Sequence, residues 1–121
     1  MASVFEATAG KLIGPTTGGT VTQLTDKSTG VTLNAASGQI TLNAAALAAG
    51  AEVSFTVTNS EVSSTDVVVV NHGSAGTAGA YLVQANTIAD GSFAITVANV
   101  SGSSASEAIV LNFVALKGAS S

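Results

Sequence analysis

The 121-residue chain contains no cysteine, no tryptophan and no arginine, one proline, one histidine, and only ten charged side chains. Without cysteine there is no disulfide framework, thiolate metal site or thiol nucleophile. Three lysines scattered along the chain cannot neutralise a run of phosphates, so nucleic acid is not an expected partner. Charged residues are 8% of the chain, against about 25% in an average soluble domain. Yet 46% of residues are hydrophobic, so the composition is not that of a disordered chain. The longest strictly apolar run, Ala44 to Ala49, is far below the roughly 20 residues of a membrane-spanning helix. Five aromatic residues cannot form the two girdles of an outer-membrane barrel, and no membrane partner is expected. The start, Met1-Ala2-Ser3-Val4-Phe5-Glu6, has neither the basic nor the apolar region of a signal peptide.

What is present is β-forming sequence cut by small-residue turns. Residues 1–19 differ from the rest: Gly10, Gly14, Pro15, Gly18 and Gly19 interrupt them, and Val4, Phe5, Leu12 and Ile13 follow no period. They read as an extended N-terminal arm that packs on a partner, against the alternatives of a frayed end or a strand folded back on its own domain. From Thr20 to Lys117 the pattern predicts one β-sandwich or jelly-roll domain of about eight short antiparallel strands, with turn signals every 8–12 residues. Residues 118–121 form a short tail. Val31-Thr32-Leu33-Asn34 and Ile40-Thr41-Leu42-Asn43 are near copies around a small-residue loop, which suggests a hairpin. The alanine-rich stretch Asn43–Gly50 is expected to be irregular or β. Val53–Thr58 and Phe93–Val97 alternate cleanly, and Asp90-Gly91 marks a tight turn.

The expected core is Val31, Leu33, Ile40, Leu42, Val53, Phe55, Val57, Val67, Val69, Leu82, Phe93, Ile95, Val97, Ile109, Leu111 and Phe113. Asp66–Val70 is apolar on both faces, as is the terminal strand Ala108–Leu116. A sandwich strand buries only one face. The outer set Val110, Val114 and Leu116 is therefore a candidate oligomer interface. A nearly chargeless β surface repels its own copies weakly, which suits a dense assembly.

Chemistry-bearing residues are scattered. His72 has no carboxylate at a spacing that would orient it as a general base, and Asp26, Glu52, Glu61, Asp66, Asp90 and Glu107 stand singly. No catalytic residue, metal or cofactor is expected, and the chain does not read as an enzyme. Tyr81 reads as a core-edge residue with its hydroxyl at the rim. Asn99-Val100-Ser101 matches a glycosylation acceptor by chance.

Several phrases together resemble a small β module of tailed-bacteriophage virion proteins: Thr29-Gly30-Val31-Thr32-Leu33-Asn34, Gly38-Gln39-Ile40-Thr41, Ala51–Ser60, Asp66–Val70, Gly91–Val97 and Ser106–Phe113. They cover about four fifths of the chain and are scaffold residues, not a catalytic signature. A nearly free-standing module with a short arm is similar to a capsid decoration (cement) protein. The resemblance implies a structural protein of the virion, on the outer surface of the phage head. Its partners would be the major capsid protein, bound through the arm residues Val4, Phe5, Leu12, Ile13 and Pro15, and itself, as a homo-oligomer (dimer or trimer). In larger phage proteins such modules belong to head or tail fibres that bind a host surface, which is the alternative; no repeat or collagen-like shaft accompanies the module here. A cellular adhesin-like surface domain ranks behind both.

Overall fold

The computed structural model describes residues 18–118. Eight strands make up the described chain: β1 (Thr20–Thr22), β2 (Val31–Thr32), β3 (Ser37–Thr41), β4 (Glu52–Thr58), β5 (Val67–Ser74), β6 (Tyr81–Ala89), β7 (Ser92–Asn99) and β8 (Val110–Leu116). They form two four-stranded sheets, β1-β3-β8-β5 (sheet A) and β2-β4-β7-β6 (sheet B). The sheets enclose one core, with Phe93 of sheet B tilted against Phe113 of sheet A at a centroid distance of 5.5 Å. The chain is an all-β sandwich, as the turn spacing predicts.

The first four strands alternate between sheets. The chain rises in β1, crosses to β2, returns to β3 and crosses again to β4. A strand reached by two such crossings runs in its predecessor's direction, so β1–β3 and β2–β4 pair in parallel. The other four pairings are antiparallel. Uniformly antiparallel pairing therefore gives way at the edge where β1 and β2 lie. The expected hairpin between residues 31–34 and 40–43 is absent for the same reason: β2 and β3 belong to opposite sheets. Their matched patterns reflect a shared task, since Val31 and Ile40 fill the same core from its two sides.

Alternation behaves as expected in β4 and β7, where Phe55, Val57, Phe93, Ile95 and Val97 are buried. A two-residue turn, Asp90-Gly91, links β6 to β7, with Gly91 at a φ of 86° that a side chain would strain. Between Asn43 and Gly50 the backbone is irregular apart from a single bridge, Leu47 to Ala105. Strand β5 reverses the expected phase. Val68 and Val70 pack inward, whereas Val67 and Val69 are 56% and 49% exposed. In β6, Leu82 points out, again opposite to expectation, and its neighbour Tyr81 takes the inward position. Strand β5 also runs four residues further than the apolar run, to Ser74, with a bulge between His72 and Ser74.

Buried polar groups hold the loops. The Gln23 amide donates to the carbonyls of Lys27 and Thr29 and accepts from the Asn43 amide N–H. Asn59 and Asn99 do the same for the loops beside Ala35 and Leu47. Among the described residues no buried side-chain polar atom lacks a partner. Each of these loops is thus fixed without a net cost of stranded polar groups.

Candidate functional site

Titratable groups are the first place to look for chemistry, and here they are engaged in structure. The Lys27 ammonium is buried and donates to three carbonyls, those of Asn43 (2.5 Å), Ala45 (2.8 Å) and Glu107 (2.9 Å). Its burial pulls the pKa below the ordinary lysine value, against a smaller upward pull from the Glu107 charge. The Glu107 carboxylate accepts from the Tyr81 hydroxyl at 2.6 Å and from the Thr77 hydroxyl and N–H at 2.8 and 3.0 Å. Those bonds, with Tyr81 the strongest contributor, hold the Glu107 carboxyl below its ordinary value. Burial, then the bond to Glu107 and its charge, push the Tyr81 phenol up to about 12. Tyr81 is accordingly a core-edge residue whose hydroxyl reaches the rim.

His72 lies at the end of β5. One ring nitrogen is 2.6 Å from the Ala75 carbonyl, and the ring packs edge-on against Tyr81 at 5.6 Å. With Glu107 it ties down the β5–β6 loop, where Ala75, Gly76 and Gly79 have positive φ. A shallow cavity of about 150 Å³ opens beside His72 and this loop. It is lined by His72, Ser74 and the small residues Gly73, Ala75, Gly76 and Ala78, and the His72 Nε2 lies within hydrogen-bond reach of the Ser74 and Ala75 carbonyls. Among the described residues no three His, Cys, Asp or Glu side chains come together in a way that would hold a metal ion. Asp66 accepts from the Ser63 N–H and hydroxyl, from the Lys117 ammonium at 2.9 Å and from the Gly118 N–H. Burial would raise its carboxyl, but these bonds outweigh that and hold it at about 2.

The outer surfaces of the two sheets are built differently. On sheet B the outward side chains are Glu52, Ser54, Thr56 and Thr58 of β4, Ser92, Ala94, Thr96 and Ala98 of β7, and Leu82, Gln84 and Asn86 of β6. Several of them bond to one another: Ser54 shares a 2.7 Å hydrogen bond with Thr96, Asn86 donates to Thr96 at 2.9 Å, and Thr87 donates to Asn86 at 3.0 Å.

Sheet A presents four rows set by strand register. Val67 faces Leu116, and Val69 faces Val114, which faces Ser37. Asn71, Asn112, Gln39 and Thr20 make the third row; Ser74, Val110, Thr41 and Thr22 make the fourth. No residue of the four rows carries a charge. The side chains of Gln39, Asn71 and Asn112 make no hydrogen bond within the described chain. Asn112 lies over Gly73, where a Cβ would meet its amide nitrogen, so the bulged glycine lets the amide lie flat on the face.

The sequence-predicted interface residues Val110, Val114 and Leu116 all fall on this face: Leu116 is 40% exposed, and the other two are half-buried on the central strand. The structure adds Val67 and Val69, which the sequence placed in the core. The predicted arm residues Val4, Phe5, Leu12, Ile13 and Pro15 lie outside the described residues. Gly18, where the described chain begins, sits beside Ser37 at the edge of sheet A. No protein-family model, curated protein or solved structure matches the chain.

Proposed function

We propose that this is a structural protein of a tailed-bacteriophage virion, a decoration (cement) protein on the outside of the head that stabilises contacts between major capsid subunits. The observation that carries the reading is the outer face of sheet A: charge-free, partly apolar, with its amides unbonded, on a body of net charge -4. Such a face gains free energy by leaving water and pays no charge desolvation to do so. The leading segment joins the domain at the edge of this same sheet. In this reading its apolar residues Val4, Phe5, Leu12 and Ile13 bury on capsid subunits while the sandwich associates with further copies. Many weak contacts on a repeating shell then sum by multivalency, and binding the assembled shell stabilises it by mass action. The work is mechanical and requires no catalytic group. The phrases resembling virion β modules support the phage context.

Quantifying this polypeptide against the major capsid protein in purified virions tests the proposal. A cement protein appears at a copy number comparable to the capsid protein. A few tens of copies at most, the number that vertex or tail symmetry allows, would mean a fibre module binding a host surface. Absence from virions would reject both. Phe5→Asp with Ile13→Asp should abolish attachment to heads while leaving the folded domain intact; unchanged attachment would remove the arm from the mechanism.

A further inference from the structure

Beyond the interface expected from β8 alone, we infer that the outer face of sheet A is where a second copy of this chain sits, face to face, with β5 contributing as much as β8. This deepens the oligomer part of the proposed function and stands or falls separately from capsid attachment. Three observations favour a second copy over another occupant.

The first is self-complementarity. A two-fold interface brings one surface against itself, so the face as a whole must be self-complementary. A face carrying charge of one sign would repel its own copy. The apolar rows Val67–Leu116 and Val69–Val114 meet the requirement, as do amides, which carry both donor and acceptor. The unbonded amides of Gln39, Asn71 and Asn112 border the apolar rows. Among the described residues one ion pair lies at this end, Asp66–Lys117, and it is already internally matched.

The second is the contrast with sheet B, where Ser54, Thr96, Asn86 and Thr87 use hydrogen bonds on one another across three strands. A face intended for water alone tolerates either arrangement. Sheet B exposes one large apolar side chain, Leu82 at 65%, whereas sheet A clusters three, Val67, Val69 and Leu116, on two neighbouring strands, and it is the contiguous patch that marks a face to be covered.

The third is size. Strands of three, five, seven and eight residues, at about 3.4 Å rise and 4.8 Å spacing, give roughly 370 Å² in projection before side-chain relief is counted. That is about half of the roughly 800 Å² per partner of a standard interface, which suits a small, weak dimer. A heterologous partner would gain specificity and association rate from complementary charge, and this face offers none.

The test uses the full-length chain. Light scattering at micromolar concentration should return about twice the 11.7 kDa chain mass. Val69→Lys and, separately, Gln39→Lys place a charge on the face and should weaken association at least about 100-fold. Thr56→Lys on sheet B should leave the mass unchanged. Circular dichroism and thermal melting confirm that each variant is folded; Gln39 and Thr56 are both exposed, so their variants keep the test decisive if Val69→Lys destabilises the domain. Because the chain has no cysteine, Val69→Cys and Thr56→Cys give single-thiol probes. Oxidation should link copies through the first and not through the second. A single-chain mass for the unsubstituted protein overturns the inference. So does dissociation by Thr56→Lys but not by the sheet A variants. A monomer whose Val69→Cys thiol resists alkylation would show the face covered by the chain's own segment instead. Loss of capsid binding with an intact dimer would instead count against the proposed function.

Discussion

Sheets A and B share one core and nearly the same architecture, and their outer faces diverge. On sheet B, Ser54, Thr96, Asn86 and Thr87 form a chain of hydrogen bonds across three strands. On sheet A, Asn71, Asn112 and Gln39 stand in one row without such bonds, next to Val67, Val69, Val114 and Leu116. The difference lies in the outward positions of the strands, because the inward positions of both sheets are equally apolar. The same strand period serves two purposes: the inner half of each strand encodes the sandwich, and the outer half encodes what the sandwich meets. Sheet A has no charged outward side chain in its four rows and sheet B has one, Glu52, so packing and hydrogen-bond supply carry most of the distinction.

The sharpest way to break the comparison is to remove what both sheets share. Phe93 is 1% exposed and packs on Phe113 across the core. Phe93→Ala should cost about 3–5 kcal/mol in chemical denaturation and weaken both faces together. If the loss falls below 1 kcal/mol, the sheets do not depend on this contact. A smaller loss, about 2–3 kcal/mol, is expected for Lys27→Met, which keeps the stem and strands the carbonyls of Asn43, Ala45 and Glu107. These carbonyls lie away from either outer face, so the oligomer mass should not change.

Asp66 gives the comparison a pH axis, because it anchors the start of β5 beside the apolar rows of sheet A. Its folded pKa, about 2, is below the unfolded carboxylate value near 3.8. Its contribution is therefore fully present above about pH 4 and is lost as pH falls through the folded value. Asp66→Asn should cost about 2 kcal/mol at neutral pH through its charge-assisted bonds. It should also flatten the acid limb of the stability profile between pH 4 and 2; an unchanged limb would assign that limb to other carboxylates. The smallest effects separate the faces directly. Thr96→Val on sheet B breaks two hydrogen bonds and should cost up to about 1 kcal/mol. Asn71→Ala on sheet A breaks none and should change monomer stability by less than about 0.5 kcal/mol. A larger loss for Asn71→Ala than for Thr96→Val would invert the contrast.

Much of the sandwich was legible where polar and apolar residues alternate, because the alternation itself states which side is buried. Val53–Thr58 and Phe93–Val97 carry that phase. Asp66–Val70 does not: with valine at four successive positions, period 2 has no phase, and only the register Val69 to Val114 decides which pair faces out. Leu82 departs for a related reason. Apolarity alone points it inward, whereas Tyr81, legible as a core-edge residue, takes the inward position with its hydroxyl bonded to Glu107, 26 residues away. The parallel pairings were hidden because Val31-Thr32-Leu33 and Ile40-Thr41-Leu42 look like partners and carry no mark of the sheet each joins. The burial of Lys27 depends on the carbonyls of Asn43, Ala45 and Glu107, which leave no trace in side-chain identity. Of the candidate site, Val110, Val114 and Leu116 were legible as the outer side of an apolar strand. Val67 and Val69 required the register.

Strand β8 has one further consequence. It is the last strand along the described chain, yet it lies between β3 and β5, in the interior of sheet A. While a ribosome is still producing it, Ile40 waits for Leu111, its cross-strand neighbour. A nascent chain can zip β6 to β7 early, but half of the sandwich stays open until translation has passed Leu116. A product that stops before β8 lacks the central rung of sheet A rather than an edge strand. Because the middle is built last, completion of the sandwich depends on the final described strand, and a truncation there should cost far more than one at an edge.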